Sequence, residues 1–346
     1  AKHLQAVLPK TVKKIAVIDR TKEPGAMGEP LYLDIVNFAK TVGLDVDVIG
    51  GRAGLGSKDV LPEDILPVFE ELQKDHPMHG FTIGIVDDVT NLSLPRADKM
   101  PLDTTGLTAC KFWGFGSDGT VGANKSAIKI IGDHTDLYAQ AYFAYDSKKS
   151  GGVTVSHLRF GTKPIDMPYL IDAADYIACH RQSYVKRFDL LRGIKDGGTF
   201  MLNCTWSDEE LDHQLPARIK RAIAKHHVKF YTLNGDAIGQ KLGLGTRINM
   251  VMQAAFFALA KVIPLDDAVK YLKDSIVKSY GKKGQKVVDM NWAAVDAGVG
   301  EFHEVNYPAS WADAVDEKVE GRPTTEYFEN VATPILGQIG DDLKVS

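Results

Sequence analysis

The chain has 346 residues, of which 44% are hydrophobic and 25% are charged, and its formal net charge is -4. At about 100 to 200 residues per domain, this length predicts two or three globular domains. The near balance of charge gives no electrostatic basis for nucleic-acid binding, and no apolar run approaches the about 18 to 20 residues that a membrane-spanning helix needs.

The N-terminal sequence and the three cysteines indicate the cellular compartment and limit the kinds of metal or disulfide site that the chain can form. The first residues lack the apolar core of a signal peptide, so we expect a cytoplasmic protein. Cys110, Cys179 and Cys204 are too few and too scattered for a disulfide framework or a zinc ribbon. We interpret them as buried, inert thiols, which argues against an iron-sulfur cluster bound by this chain alone.

The first 90 residues alternate short β-branched runs with helical patterns. Strands are predicted over Lys13 to Asp19, Leu44 to Ile49 and Phe81 to Asp87. Apolar residues recur at helical spacing from Leu31 and again after Pro62, which suits the first turn of a helix. This alternation predicts a small three-layer α/β unit.

A proline-rich segment from Leu92 to Gly106 predicts a domain boundary, and a second α/β series follows it. A doubly wound, mostly parallel sheet is expected for this series, followed by helices. The predicted strands are Leu107 to Gly114, Ala139 to Tyr145, Asp175 to His180, Thr199 to Cys204 and Val228 to Leu233. The predicted helices are Leu215 to His227, Arg247 to Val262, Leu265 to Tyr280 and Lys286 to Ala297.

The most informative segment is KFWGFGSDGTVGANK, which spans Lys111 to Lys125. A strand pattern leads here into a Gly-x-Gly-x-x-Gly turn, with Gly114, Gly116 and Gly119, that opens a helix. Glycines let a ligand approach the backbone, and the free N-H groups of a helix start favour phosphate. Glycines at such a turn also serve close packing, so the motif alone leaves both roles open.

The strand that follows ends at Asp146 and continues into Ser-Lys-Lys-Ser-Gly-Gly. In a dinucleotide site an acidic residue at this point binds a free ribose. Lys148 and Lys149 suit an additional phosphate better, although surface lysines without a ligand remain an alternative. A phosphoadenosine ligand is therefore a hypothesis for this loop.

Two asparagines at helical positions are further candidates. Asn249, with Arg247, stands where a glycine-rich turn enters an apolar helix, so it serves either as a ligand contact or, as is commoner, as part of a helix cap. Asn291 lies inside an apolar helical run and needs a hydrogen-bond partner, which backbone or ligand could supply.

With these segments in hand, the chain resembles the pyruvate:ferredoxin (flavodoxin) oxidoreductase family along nearly its whole length. Six motifs occur here in that family's order. They are VIDRTKEPGAMGEPLYLD, GGRAGLGSKD, DDVTNLSL, FWGFGSDGTVGANK, YDSKKSGGVTVSHLRFG and GLGTRINMVMQAAFF. The resemblance implies two three-layer doubly wound domains. It assigns residues 1–94 to a transketolase C-terminal-like domain, 95–315 to a Rossmann-like gamma domain associated with coenzyme A, and 316–346 to a connecting segment that leads toward an iron-sulfur domain.

The resemblance further implies that the chain is a piece of a longer polypeptide. The parent would decarboxylate pyruvate oxidatively to acetyl-CoA and pass electrons to ferredoxin or flavodoxin. Thiamine pyrophosphate, Mg and 4Fe-4S clusters would belong to the missing domains of the same polypeptide, and the parent would be a homodimer. The isolated piece is expected to be inactive, with no catalytic residue and no metal site of its own.

For this piece the resemblance implies coenzyme A as the ligand. Carried over position by position, Lys149, Asn249 and Asn291 match the family's coenzyme A contacts. Gly116, Ser117 and Gly119 complete the expected site as the loop that the ligand approaches. The alternative is a structural module, either of a related 2-oxoacid oxidoreductase or of a sulfite reductase flavoprotein subunit.

Overall fold

The computed structural model describes residues 2–100, 102–146, 148, 151–316 and 324–346. Its helices are α1 Lys2–Val7, α2 Pro30–Val42, α3 Pro62–Leu72, α4 Thr120–His134, α5 Asp208–Gln214, α6 Ala217–Lys225, α7 Gly235–Lys241, α8 Asn249–Ala260, α9 Leu265–Tyr280, α10 Gln285–Gly300 and α11 Thr333–Leu336. Its strands are β1 Lys14–Asp19, β2 Asp47–Arg52, β3 Phe81–Thr82, β4 Leu107–Phe115, β5 Tyr138–Tyr145, β6 Val153–Gly161, β7 Ala174–Cys179, β8 Ile194–Asn203, β9 Lys229–Leu233 and β10 His303–Glu304.

The chain forms two compact units. The first comprises Ala1–Asp103 together with Thr324–Ser346, and the second comprises Thr104–Pro323. The last segment of the chain thus packs with the first hundred residues. The ammonium of Lys58 donates hydrogen bonds of 2.9 and 3.2 Å to the carbonyls of Asp341 and Leu343, and the Ser346 hydroxyl bonds Asp88.

The first unit is built on a three-stranded parallel sheet in the order β1-β2-β3. Asp19 at the end of β1 accepts hydrogen bonds from the backbone N-H groups of Leu31 and Tyr32, in the first turn of α2. A carboxylate at a helix start satisfies donors that have no intrahelical partner. The side chain therefore ties the strand directly to its helix.

Close packing explains the glycine at position 51 in β2. A Cβ atom there would overlap the ring of Phe81, which is fully buried in the core of this unit. The glycine allows strand β2 to approach that ring closely.

A salt bridge inside the first unit joins β2 to the entry of α2. Arg52 Nε lies 2.6 Å from the Glu29 carboxylate, whose side chain is only 4% exposed. The same guanidinium donates to the carbonyl of Gly80 at 2.9 Å. One side chain thus holds three segments of the unit.

The second unit is built on a seven-stranded mixed sheet in the order β10-β9-β8-β7-β4-β6-β5. Strands β4, β7, β8 and β9 are parallel to their neighbours within this set, whereas β6 runs antiparallel to both β4 and β5. Helices cover both faces. Helices α4, α8, α9 and α10 pack over one core, and helices α5 and α6 pack over the other.

The predicted α/β class is confirmed, and most predicted strands and helices are present with ends displaced by a few residues. Three strands differ. The predicted strand from Phe81 to Asp87 stops at Thr82, because Gly84 has a φ of +75° and the chain turns back so that Thr82 bonds Leu92 and Leu94. The long antiparallel strand β6 and the short edge strand β10 are absent from the predicted series.

Strand β6 lacks an apolar pattern because several of its buried residues are polar, among them Ser156, His157 and Arg159. Their polar groups are held by neighbouring segments. Arg159 donates to the carbonyls of Tyr169 and Leu170, and His157 Nδ1 accepts from the N-H of Ile171 at 3.1 Å. Satisfied polar groups can be buried at little cost, so hydrophobic periodicity does not reveal this strand.

Candidate functional site

The turn between β4 and α4 has the backbone of a ligand-binding loop. Gly119, which precedes α4, has a φ of +86°, and Ser117 has a φ of +77°. A positive φ is uncommon for a residue other than glycine and costs conformational energy, so such residues concentrate at functional sites. The loop is held in one shape by its surroundings.

Asp118 supplies most of that restraint. Its two carboxylate oxygens accept hydrogen bonds from the N-H of Phe115 at 2.8 Å and from the N-H of Thr120 at 2.7 Å. The carboxylate thus occupies part of the space that a bound anion would take in an open glycine-rich loop. A phosphate that approaches the loop must use the remaining N-H groups of the first turn of α4.

The loop is joined to the start of β6. The N-H of Gly116 donates a hydrogen bond to the carbonyl of Gly152 at 2.7 Å, and the N-H of Gly151 donates to the carbonyl of Gly116 at 3.4 Å. Gly151 also lies over the ring of Phe115, close enough that a Cβ atom would be 3.3 Å from it. The described residues between β5 and β6, namely Asp146, Lys148, Gly151 and Gly152, therefore form the other side of the same site.

A cleft of about 200 Å³ opens between these two segments. Its lining combines backbone of the loop, apolar and aromatic side chains, and charged groups. The lining residues are Phe115, Gly116, Ser117, Asp118, Gly119, Val121, Tyr145, Asp146, Lys148, Gly152, Val153 and Thr154.

Positive side chains stand around the cleft. Lys148 lines it, and the guanidinium of Arg181 lies 4.1 Å from the ring centroid of Phe115, which is also a lining residue. Lys125, one turn after Val121 on α4, has its ammonium 5.3 Å from the ring centroid of Phe143. Of these three cations only Lys148 lines the cleft, together with Asp118 and Asp146, whereas Arg181 and Lys125 lie next to aromatic rings near it and add positive potential.

Beneath the loop a buried polar chain fixes the start of α4. The hydroxyl of Thr120 and Nδ1 of His180 share a hydrogen bond of 2.8 Å, and Asn203 Nδ2 donates to the carbonyl of His180 at 3.1 Å. Burial lowers the pKa of His180 to about 4, so its imidazole is neutral at pH 7. This histidine is a support of the loop and does not line the cleft.

The structure brings four of the predicted site residues together. Gly116, Ser117 and Gly119 line the cleft, and Asn249 at the start of α8 lies against Gly119 so closely that a Cβ atom on this glycine would overlap the amide. Asn249 therefore adjoins the loop, with its amide held between the starts of α4 and α8.

The other two predicted residues have different positions. Asn291 is buried in α10 and donates to the carbonyl of Val287 in its own helix at 2.8 Å. It is not among the cleft-lining residues. Lys149 lies outside the described residues, and its neighbour Lys148 is the lysine that lines the cleft.

Several contributors to the cleft were not identified from the sequence, among them Asp118, Tyr145 and Thr154. An aspartate two residues before a helix start is a pattern typical of local capping, and it could have indicated the role of Asp118. Tyr145 and Thr154 carried no signal, because only the antiparallel pairing of β5 with β6 brings them to the loop.

Among the described residues, no helix is long and apolar enough to cross a membrane. Within the same ranges, no three His, Cys, Asp or Glu side chains are grouped so that they could hold a metal ion.

Comparison with known proteins identifies the family of this chain. The family model described as pyruvate ferredoxin/flavodoxin oxidoreductase matches residues 109–301, which is more than half of the chain. This chain belongs to the pyruvate ferredoxin/flavodoxin oxidoreductase family.

Two relatives match along the whole chain. It is 56% identical over 349 residues to the pyruvate:ferredoxin oxidoreductase of Moorella thermoacetica, and 55% identical over 346 residues to the pyruvate-flavodoxin oxidoreductase of Enterobacter agglomerans. All of this chain is covered in both cases, but only 30% of each relative, so the chain spans about a third of their length. The crystal structure of a pyruvate oxidoreductase subunit from Thermotoga maritima aligns with a TM-score of 0.47 at 15% identity, over 58% of this chain and 99% of that one.

Proposed function

We propose that this chain is part of an enzyme that decarboxylates pyruvate oxidatively and forms acetyl-CoA. In that reaction the carbon-carbon bond to the carboxylate breaks, CO2 leaves, the acetyl group is transferred to the thiol of coenzyme A, and two electrons pass to ferredoxin or flavodoxin. The names and the high identity of the relatives support this proposal. Thiamine pyrophosphate, Mg and 4Fe-4S clusters are assigned to parts of the enzyme beyond this chain, and the whole enzyme to a homodimer.

The contribution proposed for this chain is coenzyme A binding. The observation that carries it is the cleft itself: a glycine-rich loop at the start of α4 and Lys148 line the same space of about 200 Å³. Coenzyme A carries a pyrophosphate and a 3′-phosphate, which suit helix N-H groups and lysines. We expect residues 1–346 by themselves to bind coenzyme A without turnover.

Individual roles are proposed for the predicted residues. Lys149, beside Lys148, pairs with a phosphate of coenzyme A, and the backbone of Gly116, Ser117 and Gly119 approaches the ligand. Asn249 contributes a side-chain amide next to the loop. Asn291 would have to exchange its bond to Val287 for a ligand, which makes it the weakest member of the proposed set.

Domain roles and location belong to the same proposal. Residues 1–94 serve as a transketolase C-terminal-like domain, 95–315 as the gamma domain and 316–346 as a connecting segment. A cytoplasmic location is supported by three buried cysteines that are all free thiols, as is usual in a reducing compartment.

Calorimetric titration with coenzyme A and with dephospho-coenzyme A tests the binding role. We expect coenzyme A to bind more tightly, and Lys149→Ala to reduce that preference. Lys225→Ala, which removes an exposed lysine at the end of α6, is the matched control. Equal affinity of the parent for both ligands would refute the role of the lysines, and no binding of either would favour a purely structural module.

A further inference from the structure

One wall of the cleft is formed by residues of β5 and β6 that face helix α4. Tyr145 of β5 is directly opposite Thr154 of β6, and Thr154 is directly opposite Gly114 of β4. Residues opposite each other in antiparallel strands place their side chains on the same face. Gly114 has no side chain, so the tyrosine and the threonine share this face with the start of α4.

Thr154 is a buried hydroxyl without a partner. The residue is only 6% exposed and lines the cleft, and its Oγ1 makes no hydrogen bond to any described residue. Buried polar groups are nearly always hydrogen-bonded, so an orphan hydroxyl at a ligand cleft requires an explanation. The hydroxyl oxygen itself is buried, so it would have to turn toward the cleft by rotation about the Cα–Cβ bond for a polar group of a bound ligand to supply the missing partner.

Tyr145, in contrast to the buried Thr154, is a large aromatic residue that is 61% exposed and lines the same cleft. Phe115, Val121 and Val153 add further apolar surface to the lining. An exposed ring beside apolar walls favours a flat ligand group, because stacking on an aromatic side chain is available to any nucleobase.

Charge completes the pattern. Phe143 lies two residues before Tyr145 and thus on the same face of β5, and the Lys125 ammonium is over its ring. A cation is therefore present beside the aromatic wall, and Lys148 lines the cleft itself. Base-stacking surface next to positive charge is the arrangement that a phosphorylated nucleoside needs.

We infer that Tyr145 and Thr154 form the base-binding subsite of this cleft, in which the tyrosine ring stacks on a purine and the threonine hydroxyl bonds its polar edge. This inference rests on the proposed coenzyme A binding and specifies which half of the ligand lies here. The nucleotide half occupies the wall between α4 and β5, and the pantetheine arm extends away from it.

Three probes separate the two halves of the ligand in titrations of the full chain: coenzyme A, adenosine 3′,5′-bisphosphate and 4′-phosphopantetheine. Tyr145→Ala should weaken binding of the first two about tenfold and leave the third unchanged. Tyr145→Phe, which keeps the ring, should stay within about twofold of the parent. Thr154→Val should weaken the first two several-fold, and Thr154→Ser should restore them.

Tyr142→Ala is the matched control. Tyr142 is 59% exposed on the same strand, but it is not among the cleft-lining residues. Equal effects of Tyr142→Ala and Tyr145→Ala, or weakening confined to 4′-phosphopantetheine, would overturn the base subsite. If the parent binds coenzyme A and the Tyr145 and Thr154 variants do so equally well, only this inference fails. If the parent binds none of the three probes, the proposed function fails with it.

Discussion

Asn249 packs its side-chain amide on Gly119, so the first residue of α8 is in direct contact with the residue that begins α4. Two helix starts therefore meet at the edge of the cleft. The contact is possible only because position 119 has no side chain, and it makes this glycine a structural requirement as well as part of the predicted phosphate loop.

Gly119→Ala should destabilise the second unit and weaken coenzyme A binding. Its φ of +86° disfavours a side chain, and Asn249 occupies the space that a Cβ atom needs. We expect the free energy of unfolding to fall by about 1 to 3 kcal/mol. Gly122→Ala is the control: it lies in the first turn of α4 with no heavy atom within 4 Å of its Cβ position, and it should gain about 0.5 to 1 kcal/mol. Urea unfolding of both variants checks this, and equal losses would contradict it.

Asp118→Ala should make the loop between β4 and α4 less ordered. The substitution removes the acceptor for the N-H groups of Phe115 and Thr120. Unpaired donors of this kind cost about 1 to 3 kcal/mol where water cannot replace the partner. Asp118→Asn, which keeps one carbonyl oxygen, should have an intermediate effect. Amide exchange at Thr120 should accelerate in the order parent, Asn variant, Ala variant, and unchanged exchange in the Ala variant would refute the restraint.

Arg52→Met tests the buried ion pair of the first unit. It leaves the Glu29 carboxylate buried without its cation, which should cost about 3 to 5 kcal/mol. Adding Glu29→Gln should recover part of this loss. Burial raises the pKa of Glu29, but the hydrogen bond and charge of Arg52 outweigh it, so the pKa is lowered overall. The pair therefore stabilises the parent above the ordinary carboxyl pKa, and this contribution is lost as the pH falls through the lowered value. Urea unfolding of the three proteins at pH 7 and pH 4 measures both effects.

Acid should destabilise the second unit before its carboxylates are protonated. Burial, with the nearby charges of Lys111 and Arg159, lowers the pKa of His157 to about 3. The unfolded chain then binds more protons than the folded chain between about pH 6.5 and pH 3, so stability falls as the pH is lowered through that window. His157→Asn keeps an acceptor near the position of Nδ1 for the Ile171 N-H and cannot titrate. It should reduce, but not abolish, the dependence of the unfolding free energy on pH between 7 and 4.5, because the buried His180 contributes a slope of the same sign. An unaltered slope would contradict the assignment.

Much of the architecture could be predicted because buried strands such as β4 and β7 are apolar runs bounded by turn residues. Strand β6 could not be predicted, because the hydrogen-bond partners of its buried Arg159 and His157 are backbone groups 11 and 14 residues further along the chain. No local pattern in the sequence indicates these partners. Prediction of the site shows the same division. The glycine loop is a contiguous motif and can be recognised in the sequence. The wall that carries Thr154 cannot, because it depends on strand pairing across the sheet.

Asn291 illustrates a further limit of sequence reasoning. A polar residue in an apolar helical run signals that a partner exists but does not identify it. In the structure that partner is the carbonyl of Val287, one turn earlier in the same helix. The resemblance to the family therefore remains the main support for a ligand role of this residue.

The return of the final residues to the first unit has a consequence for biosynthesis. The contact between Lys58 and Asp341 joins residues separated by 283 positions, and the whole second unit lies between them. During translation, residues 104–323 emerge as one continuous stretch and can fold as soon as they leave the ribosome. The sheet and core of the first unit lie within residues 1–103, so only its contacts with the closing segment have to wait, and the entropy of closing so long a loop is smaller once the intervening unit is already compact. The contacts of residues 324–346 with the first unit are thus expected to form last.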